Sequence, residues 1–245
     1  MPRTIQKILI EKETGKKYYV KDLNEDFYTS GGTISSKDLK SKKSEIKTNK
    51  GKVFLVLEPS FIDLWENLQR GPQIMIQKDI GLIVAKTGIN KNSMIVDAGG
   101  CSGSLCFSLA NICKEITVYE IHPEHLNILN KNKLLLGLNN VTIKDKNVYE
   151  GIAEKELDLI TLDVPEPWQV LFAAEKALKM GGFLVVYLPN LIQAHQFITE
   201  AGRSKLKVLE TVELLERKWD IHDQILRPQF QMLGHTGFLI FCRKL

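Results

Sequence analysis

At 245 residues, with 44% hydrophobic and 25% charged side chains, the chain reads as ordinary globular material with room for one large α/β core and a small appendage. Its longest apolar stretches, such as residues 182–189, fall far short of the ~20 needed to span a bilayer, and no apolar leader-like region opens it, so a soluble cytoplasmic protein with no membrane partner is expected. The net charge of +4 is uneven: residues 1–52 hold 13 Lys and Arg against 7 Asp and Glu, a basic excess that suits either a solvated face or a module facing phosphates.

In chain order, "IQKILIEKETGKKYYVKDL" alternates β-favouring residues around a Thr-Gly turn and predicts a hairpin. Gly and Ser punctuation and Lys clusters follow, then an apolar strand at Val53 to Leu57. Residues 1–58 are therefore expected to form a small, basic, mostly β domain. A helix, "FIDLWENLQ", begins a linking segment over 59–77. From 78 to 245 the rhythm changes to strands alternating with helices, which implies a parallel sheet with crossover connections. The strands are placed at Met94 to Asp97, Ile116 to Glu120, Val141 to Ile143, Leu157 to Asp163 and Phe183 to Leu188. "PEHLNILNKNKLLLG" has helical spacing and Gly137 as its C-terminal stop. No helix fits between "LKVLETVELLERKWDI" and "GFLIFCRKL", so these two are expected to pair antiparallel at the sheet edge.

Cys101, Cys106, Cys113 and Cys242 show no Cys-x-x-Cys spacing and no nearby His set, so no metal site is expected. Cys106 and Cys113 share one helix face and suit buried thiols.

"MIVDAGGCSGSL" is a strand ending in Asp97, a turn containing Gly99, and a helix start. Such a turn aims backbone N–H groups at a ligand. Glu120 closes the second strand 23 residues after Asp97, where an acid can accept both hydroxyls of a ribose. If it does, Asn147, after the third strand, falls beside the base. Asp163 closes the fourth strand in "LDVPEPWQ"; Pro165 and Pro167 stiffen the loop and offer Trp168 as a wall or lid. Ligands of open α/β sheets bind beyond the carboxyl ends of the strands, where all four of these polar residues sit.

Seven runs carry a family resemblance: "RGPQIMIQKDIGLIV", "IVDAGGCSGSLCFSLANI", "VYEIHPEHL", "NVYEGI", "LDVPEPW", "ALKMGGFLVVYLPNLIQ" and "LRPQFQMLGHTGFLIF". Collinear from about Asp26 to the C-terminus, they resemble the archaeal-type class I tRNA (adenine-58-N1)-methyltransferases. The resemblance implies a Rossmann-like α/β methyltransferase domain with a mostly parallel seven-stranded sheet and an antiparallel edge strand, preceded by a small β domain. It further implies S-adenosylmethionine as cofactor, tRNA as partner and a homotetramer. Residue by residue, it puts Ser102, Gly103, Ser104 and Leu105 at the cofactor's methionine end and counts Asp97 and Gly99 among the cofactor-binding residues. Glu120 falls at its ribose with His125 nearby, and Asn147 and Val148 at its adenine. Asp163 becomes the catalytic residue, beside the cofactor, with Gln73 and Trp168 lining a pocket for the target base.

Adenine N1 is a weak nucleophile, and its methylation creates a positive charge shared with N6. A carboxylate accepting a hydrogen bond from N6–H stabilises that charge as it forms. In three places the sequence departs from the family pattern. Cys101 stands where Gly is usual, so crowding or backbone strain is expected there; Asn147 replaces Asp; and Ile76-Gln77 stands where a ring residue and Pro are common. Cys101 motivates a second reading, a non-catalytic tRNA-binding subunit with an impaired cofactor site. A third keeps the cofactor but assigns a protein or small-molecule substrate; the basic N-terminal region speaks against it.

Overall fold

The protein is described by a computed structural model covering residues 5–71 and 74–245. It divides into two compact units, the first comprising the described residues up to Leu68 with Leu134–Gly137, the second Gln69–Lys133 with Leu138–Leu245.

The first unit contains strands β1 (Lys7–Glu11), β2 (Lys17–Val20), β3 (Phe27–Thr29) and β4 (Gly32–Ile34), a single turn of helix α1 (Ser36–Leu39), strands β5 (Glu45–Lys47) and β6 (Val53–Leu57), and helix α2 (Phe61–Trp65). The Thr-Gly hairpin forms as expected, β1 against β2 with Ile10 opposite Lys17, and the sheet order is β2-β1-β6-β5, antiparallel throughout. Leu9, Val20, Ile34, Leu39, Ile46 and Phe54 close its core. Helix α2 is shorter than its apolar pattern suggested. Ser60 and Asp63 cap its start reciprocally, but one turn later the chain breaks off at Trp65.

The second unit runs α3 (Gln77–Thr87), β7 (Met94–Ala98), α4 (Ser104–Ala110), β8 (Glu115–Glu120), α5 (Pro123–Leu136), β9 (Val141–Asp145), β10 (Leu157–Leu162), α6 (Leu171–Ala177), β11 (Leu178–Leu188), α7 (Leu191–Ala201), β12 (Leu206–Glu213), a hairpin of β13 (Trp219–His222) and β14 (Ile225–Pro228), and β15 (Phe238–Lys244). Seven strands form one sheet in the order β12-β15-β11-β10-β7-β8-β9. Strands β7, β8 and β10 are buried at almost every consecutive position, as expected of parallel strands covered on both faces. Gly137 ends α5 in a left-handed conformation, φ 65°, as its sequence position indicated.

The antiparallel pair at the edge is present. The reversed strand, β15, is its inner member, hydrogen-bonded to β11 on one side and β12 on the other. "LKVLETVELLERKWDI" divides rather than forming one long strand: β12 ends at Glu213, and Trp219–His222 turns back on Ile225–Pro228 as a separate hairpin. Cys106, Cys113 and Cys242 are buried thiols. Among the described residues no helix is long and apolar enough to cross a membrane, and no group of His, Cys, Asp and Glu could hold a metal ion.

Candidate active site at the carboxyl ends of the central strands

From β7 the chain fills the sheet first toward β8 and β9, then returns to place β10 and β11 on the other side. The crevice at this reversal lies beyond the ends of β7, β8 and β10. Residue Asp163 follows β10 directly, and its N–H donates to Ala98 O at the end of β7 (2.9 Å), while Gly99 N–H donates to Tyr119 O on β8 (3.0 Å). The turn after β7 is thus tied to both neighbours. At Gly99, φ is 87° and an added Cβ would lie 2.0 Å from Asp163 O; only glycine lets the two loops approach this closely.

Glu120, buried, is held by three backbone donors. Its Oε2 accepts from Cys101 N–H at 2.9 Å, and Oε1 accepts from Ile121 and His122 N–H at 2.8 and 2.9 Å. Burial pushes its carboxyl up, but these hydrogen bonds and His125 outweigh it and hold the group below its ordinary value. The imidazole Nδ1 of His125 lies 3.4 Å from Oε2. A carboxylate offers about four lone-pair directions, so with three N–H groups bound it retains capacity for a hydroxyl.

Asp97 faces inward at the end of β7, 2% exposed, and takes a hydrogen bond from Thr161 Oγ1 at 2.5 Å. Its carboxyl is pushed up to about 7 by burial first, opposed by the Thr161 bond, with Asp163 and Glu120 adding repulsion. Residue Asp163 combines two properties. Water reaches it in the open crevice, yet it lies at the bottom of a concavity walled by protein, and that partial loss of hydration pushes its carboxyl up to about 6. Solvent still has access, and the upward push grows when a ligand closes the crevice. No described residue donates a hydrogen bond to this carboxylate.

Gly99, Glu120, His125, Asn147, Val148 and Asp163 all line a cleft of about 310 Å³, within the usual range of ligand pockets. A narrower crevice of about 20 Å³ adjoins it, lined by Ile74, Met75, Asp97, Gly99, Ser102, Ser104, Leu105 and Asp163 among others. Gly103, φ 89°, begins α4, and Ser104 Oγ donates to Met75 O at 2.6 Å. Asn147 accepts from Tyr149 N–H at 3.0 Å and so caps the short 3-10 turn Val148–Glu150. Cys101 lines both cavities and sits at φ 47°. The strain expected of a side chain at this position is real, and the chain accommodates it in the left-handed region. Burial pushes the Cys101 thiol up.

The loop after Asp163 is rigid for more reasons than its prolines: Glu166 N–H donates to Tyr149 Oη at 3.0 Å, and Gln193 Nε2 donates to Pro165 O at 3.2 Å. Trp168 differs from the expected wall. The 3-10 turn Pro167–Val170 lays its indole, partly buried, against the core of the sheet, and it lines neither cavity. Gln73 lies outside the described residues. Sequence reasoning passed over Lys146, Tyr149 and Val164, which line the larger cleft with Tyr119, Ile121 and His122, and Thr161; Pro165, read only as stiffening the loop, lines the cleft as well. Lys146 and Val164 directly adjoin Asn147 and Asp163, residues already singled out, a usable signal. Thr161 is recognisable only once β10 is known to pair with β7.

Comparison with known proteins extends the geometry. The chain is 33% identical over 267 aligned residues to the tRNA (adenine(57)-N(1)/adenine(58)-N(1))-methyltransferase TrmI of Methanocaldococcus jannaschii, covering 97% of this chain and 94% of that one. It is 29% identical over 204 residues to the tRNA (adenine(58)-N(1))-methyltransferase TrmI of Thermus thermophilus, 81% of this chain and 80% of the relative. Among solved structures, a SAM-dependent O-methyltransferase from Thermotoga maritima aligns at TM-score 0.86 and 29% identity, covering 100% of this chain and 94% of that one. The tRNA (m1A58) methyltransferase TrmI from Aquifex aeolicus aligns at TM-score 0.82 and 24% identity over 100% and 98%, a likeness of fold. The family described as tRNA methyltransferase complex GCD14 subunit matches residues 52–227, well over half of the chain, and together with the Methanocaldococcus relative this shows that the chain belongs to that family.

Proposed function

We propose that this protein is an S-adenosylmethionine-dependent methyltransferase that modifies N1 of adenine 58 in the T-loop of tRNA, in the cytoplasm and as a homotetramer. The observation that carries the reading is the Asp163 carboxylate, open to the crevice, without a hydrogen-bond donor among the described residues, and sharing one cleft with Glu120.

The residues present suit such a cofactor. Glu120 has acceptor capacity left for a ribose hydroxyl, Asn147 and Val148 line the same cleft, and the N-terminus of α4 adjoins the narrow crevice. When bound, the cofactor supplies an activated methyl group and asks for in-line placement rather than acid or base help. Asp163 then accepts from N6–H of an extruded adenine, which increases electron density at N1 and stabilises the cation as it forms. Extraction of the base costs a few kcal/mol of unstacking, and the basic N-terminal β domain is assigned the task of holding the RNA meanwhile. Support for assembly comes from apolar side chains presented to solvent by the 219–230 segment: Trp219, Ile221, Leu226 and Phe230 are all more than half exposed, which a lone soluble chain rarely leaves so close together.

The deciding experiment incubates purified protein with a tRNA transcript and labelled cofactor, then maps the modified nucleoside. Label at adenine 58 is expected, the same map reads position 57, and no transfer to any tRNA adenine would overturn the reading. One observation, Cys101 at φ 47° between the two cavities, favours the silent-subunit alternative. Calorimetry separates the two: no heat at millimolar cofactor would select the silent subunit.

A further inference from the structure

A separate cavity, of about 250 Å³, opens beside the start of α3 and is lined by Ile76, Lys78, Glu216, Arg217, Lys218, Gln229, Gln231, Met232 and Leu233. We propose that it receives one nucleotide flanking the target adenine, with its phosphate held by Arg217 and Lys218. The inference rests on the tRNA methyltransferase reading and deepens it.

The first argument is position. Ile74 and Met75 line the narrow crevice that contains Asp163, and Ile76, in extended conformation, already lines the separate cavity. Two residues of extended chain reach about 7 Å, the scale of a single nucleotide step. The shared wall is fixed on the crevice side, where Ser104 Oγ donates to Met75 O.

Charge is the second. Lys78, 7% exposed at its side chain, is neutralised by Asp79 at 2.7 Å, and its Nζ also donates to Thr236 Oγ1 at 2.7 Å. It anchors the "GHTG" segment rather than serving as a spare cation. Arg217 and Lys218 are exposed and have no ion-pair partner among the described residues, with Glu216 the only acid in the lining. Helix α3 begins at Gln77 without a side-chain cap on its first N–H groups, which adds partial positive charge on the same side.

Third comes the chemistry of the remaining walls. Gln229 and Gln231 offer amide donors and acceptors able to meet a base edge, and Met232 and Leu233 offer an apolar surface for a base plane. Gln229 N–H donates to Lys218 O at 2.9 Å, so the two sides of the cavity are held together by the base of the β13–β14 hairpin. A cation pair, two amides and an apolar plane match a nucleotide better than a peptide or a lone metabolite.

The test is a cycle between protein and RNA. T-arm hairpins are made with one uncharged methylphosphonate at the phosphate 5′ or 3′ to the target adenine, and each is given to wild type and to the double variant Arg217→Ala, Lys218→Ala. In wild type one of the two neutralised phosphates should lower kcat/KM roughly tenfold. In the double variant KM for the unmodified hairpin should rise roughly tenfold, the same phosphonate should cost less than about twofold, and the log–log salt slope of RNA binding should be shallower by about 2. Equal phosphonate effects in both proteins, or an unchanged KM, would overturn the proposal. So would a double variant whose only change is a smaller assembly in light scattering, which would assign the cavity to contact between copies. Direct binding of the hairpins reads the cavity even if no methyl group is transferred, so failure of the enzymatic reading remains distinguishable from failure of this one.

Discussion

Substituting Asp163 separates catalysis from stability. No described residue donates to its carboxylate, so the fold does not depend on it, and Asp163→Ala should remove only the acceptor for N6–H. By comparison with other preorganised hydrogen-bond partners the methylation rate should fall roughly 100-fold or more, with cofactor affinity within a few-fold of wild type. In wild type the carboxyl is pushed up to about 6 and the ionised form is the active one. Single-turnover rates should therefore rise about tenfold per pH unit below 6 and level off above about 7. For stability the sign is opposite. An acid whose folded value exceeds its ordinary one binds its proton more tightly when folded, so stability declines as pH rises from about 4 to 6. Two units correspond to about 3 kcal/mol, but water reaches this group, and screening reduces the expected cost to about 1 kcal/mol. Asp163→Asn should thus match wild type at pH 4 and equal or exceed it by about 1 kcal/mol at pH 8 in urea unfolding, while losing activity. Near-normal turnover in Asp163→Ala, or a flat wild-type rate between pH 5 and 8, would refute the reasoning.

Three further substitutions probe the surroundings. Glu120→Gln replaces one accepting oxygen with a donor facing backbone N–H groups; it should weaken cofactor binding roughly 10- to 100-fold by calorimetry and cost about 1–3 kcal/mol of stability. Asp97→Asn keeps the Thr161 hydrogen bond but abolishes a buried charge whose carboxyl is pushed up to about 7. Because that value is raised, wild-type stability is lost as pH climbs from about 4 to 7, and the variant should gain up to about 4 kcal/mol at pH 8 and little at pH 4 in urea melts. Lys78→Met strands the Asp79 carboxylate, 1% exposed and with Oδ2 already lacking a partner; unfolding should show a loss of about 3–5 kcal/mol.

The parts of the fold legible in the sequence are those where local pattern and tertiary burial agree. Strands β7, β8 and β10 are apolar runs because both faces are covered, and Gly137 stops α5 because no other residue adopts φ 65° so readily. Where the two disagree, reading fails. "LKVLETVELLERKWDI" keeps a strand-like composition beyond Glu213, but the sheet has no partner for a longer β12, and the chain folds back on itself at Trp219–His222 instead. Trp168 follows a stiff proline loop, which suggested exposure, yet the one-turn helix started by Pro167 returns the ring to the core, where its area counts for more. Asp97, Glu120 and Asp163 were visible because each closes an apolar run, and Asn147 because it follows the third strand at the same end of the sheet. Thr161 and Tyr149 were not, because their contacts with Asp97 and Glu166 cross between strands or loops whose order no local pattern encodes.

The three carboxylates at the end of the sheet explain why so acidic a corner persists in a chain that is basic overall. Strand β7 lies between β8 and β10, so Asp97, Glu120 and Asp163 come from adjacent strands, and the middle one, Asp97, feels the charge of the other two. Their environments divide the labour. Glu120 is fixed as an anion by three N–H groups; Asp97, buried with one hydroxyl donor, is held near neutrality; Asp163 has no donor among the described residues and no full burial, and is left responsive to whatever enters the crevice. A neutral ligand gains little from this arrangement. A ligand that carries positive charge in, or an adenine that acquires it during reaction, relieves the repulsion felt at Asp97 and is favoured by the same field. The instability stored in the corner is thus the counterpart of its selectivity for developing cations, and filling it with apolar residues would strengthen the fold while removing the reason for the crevice.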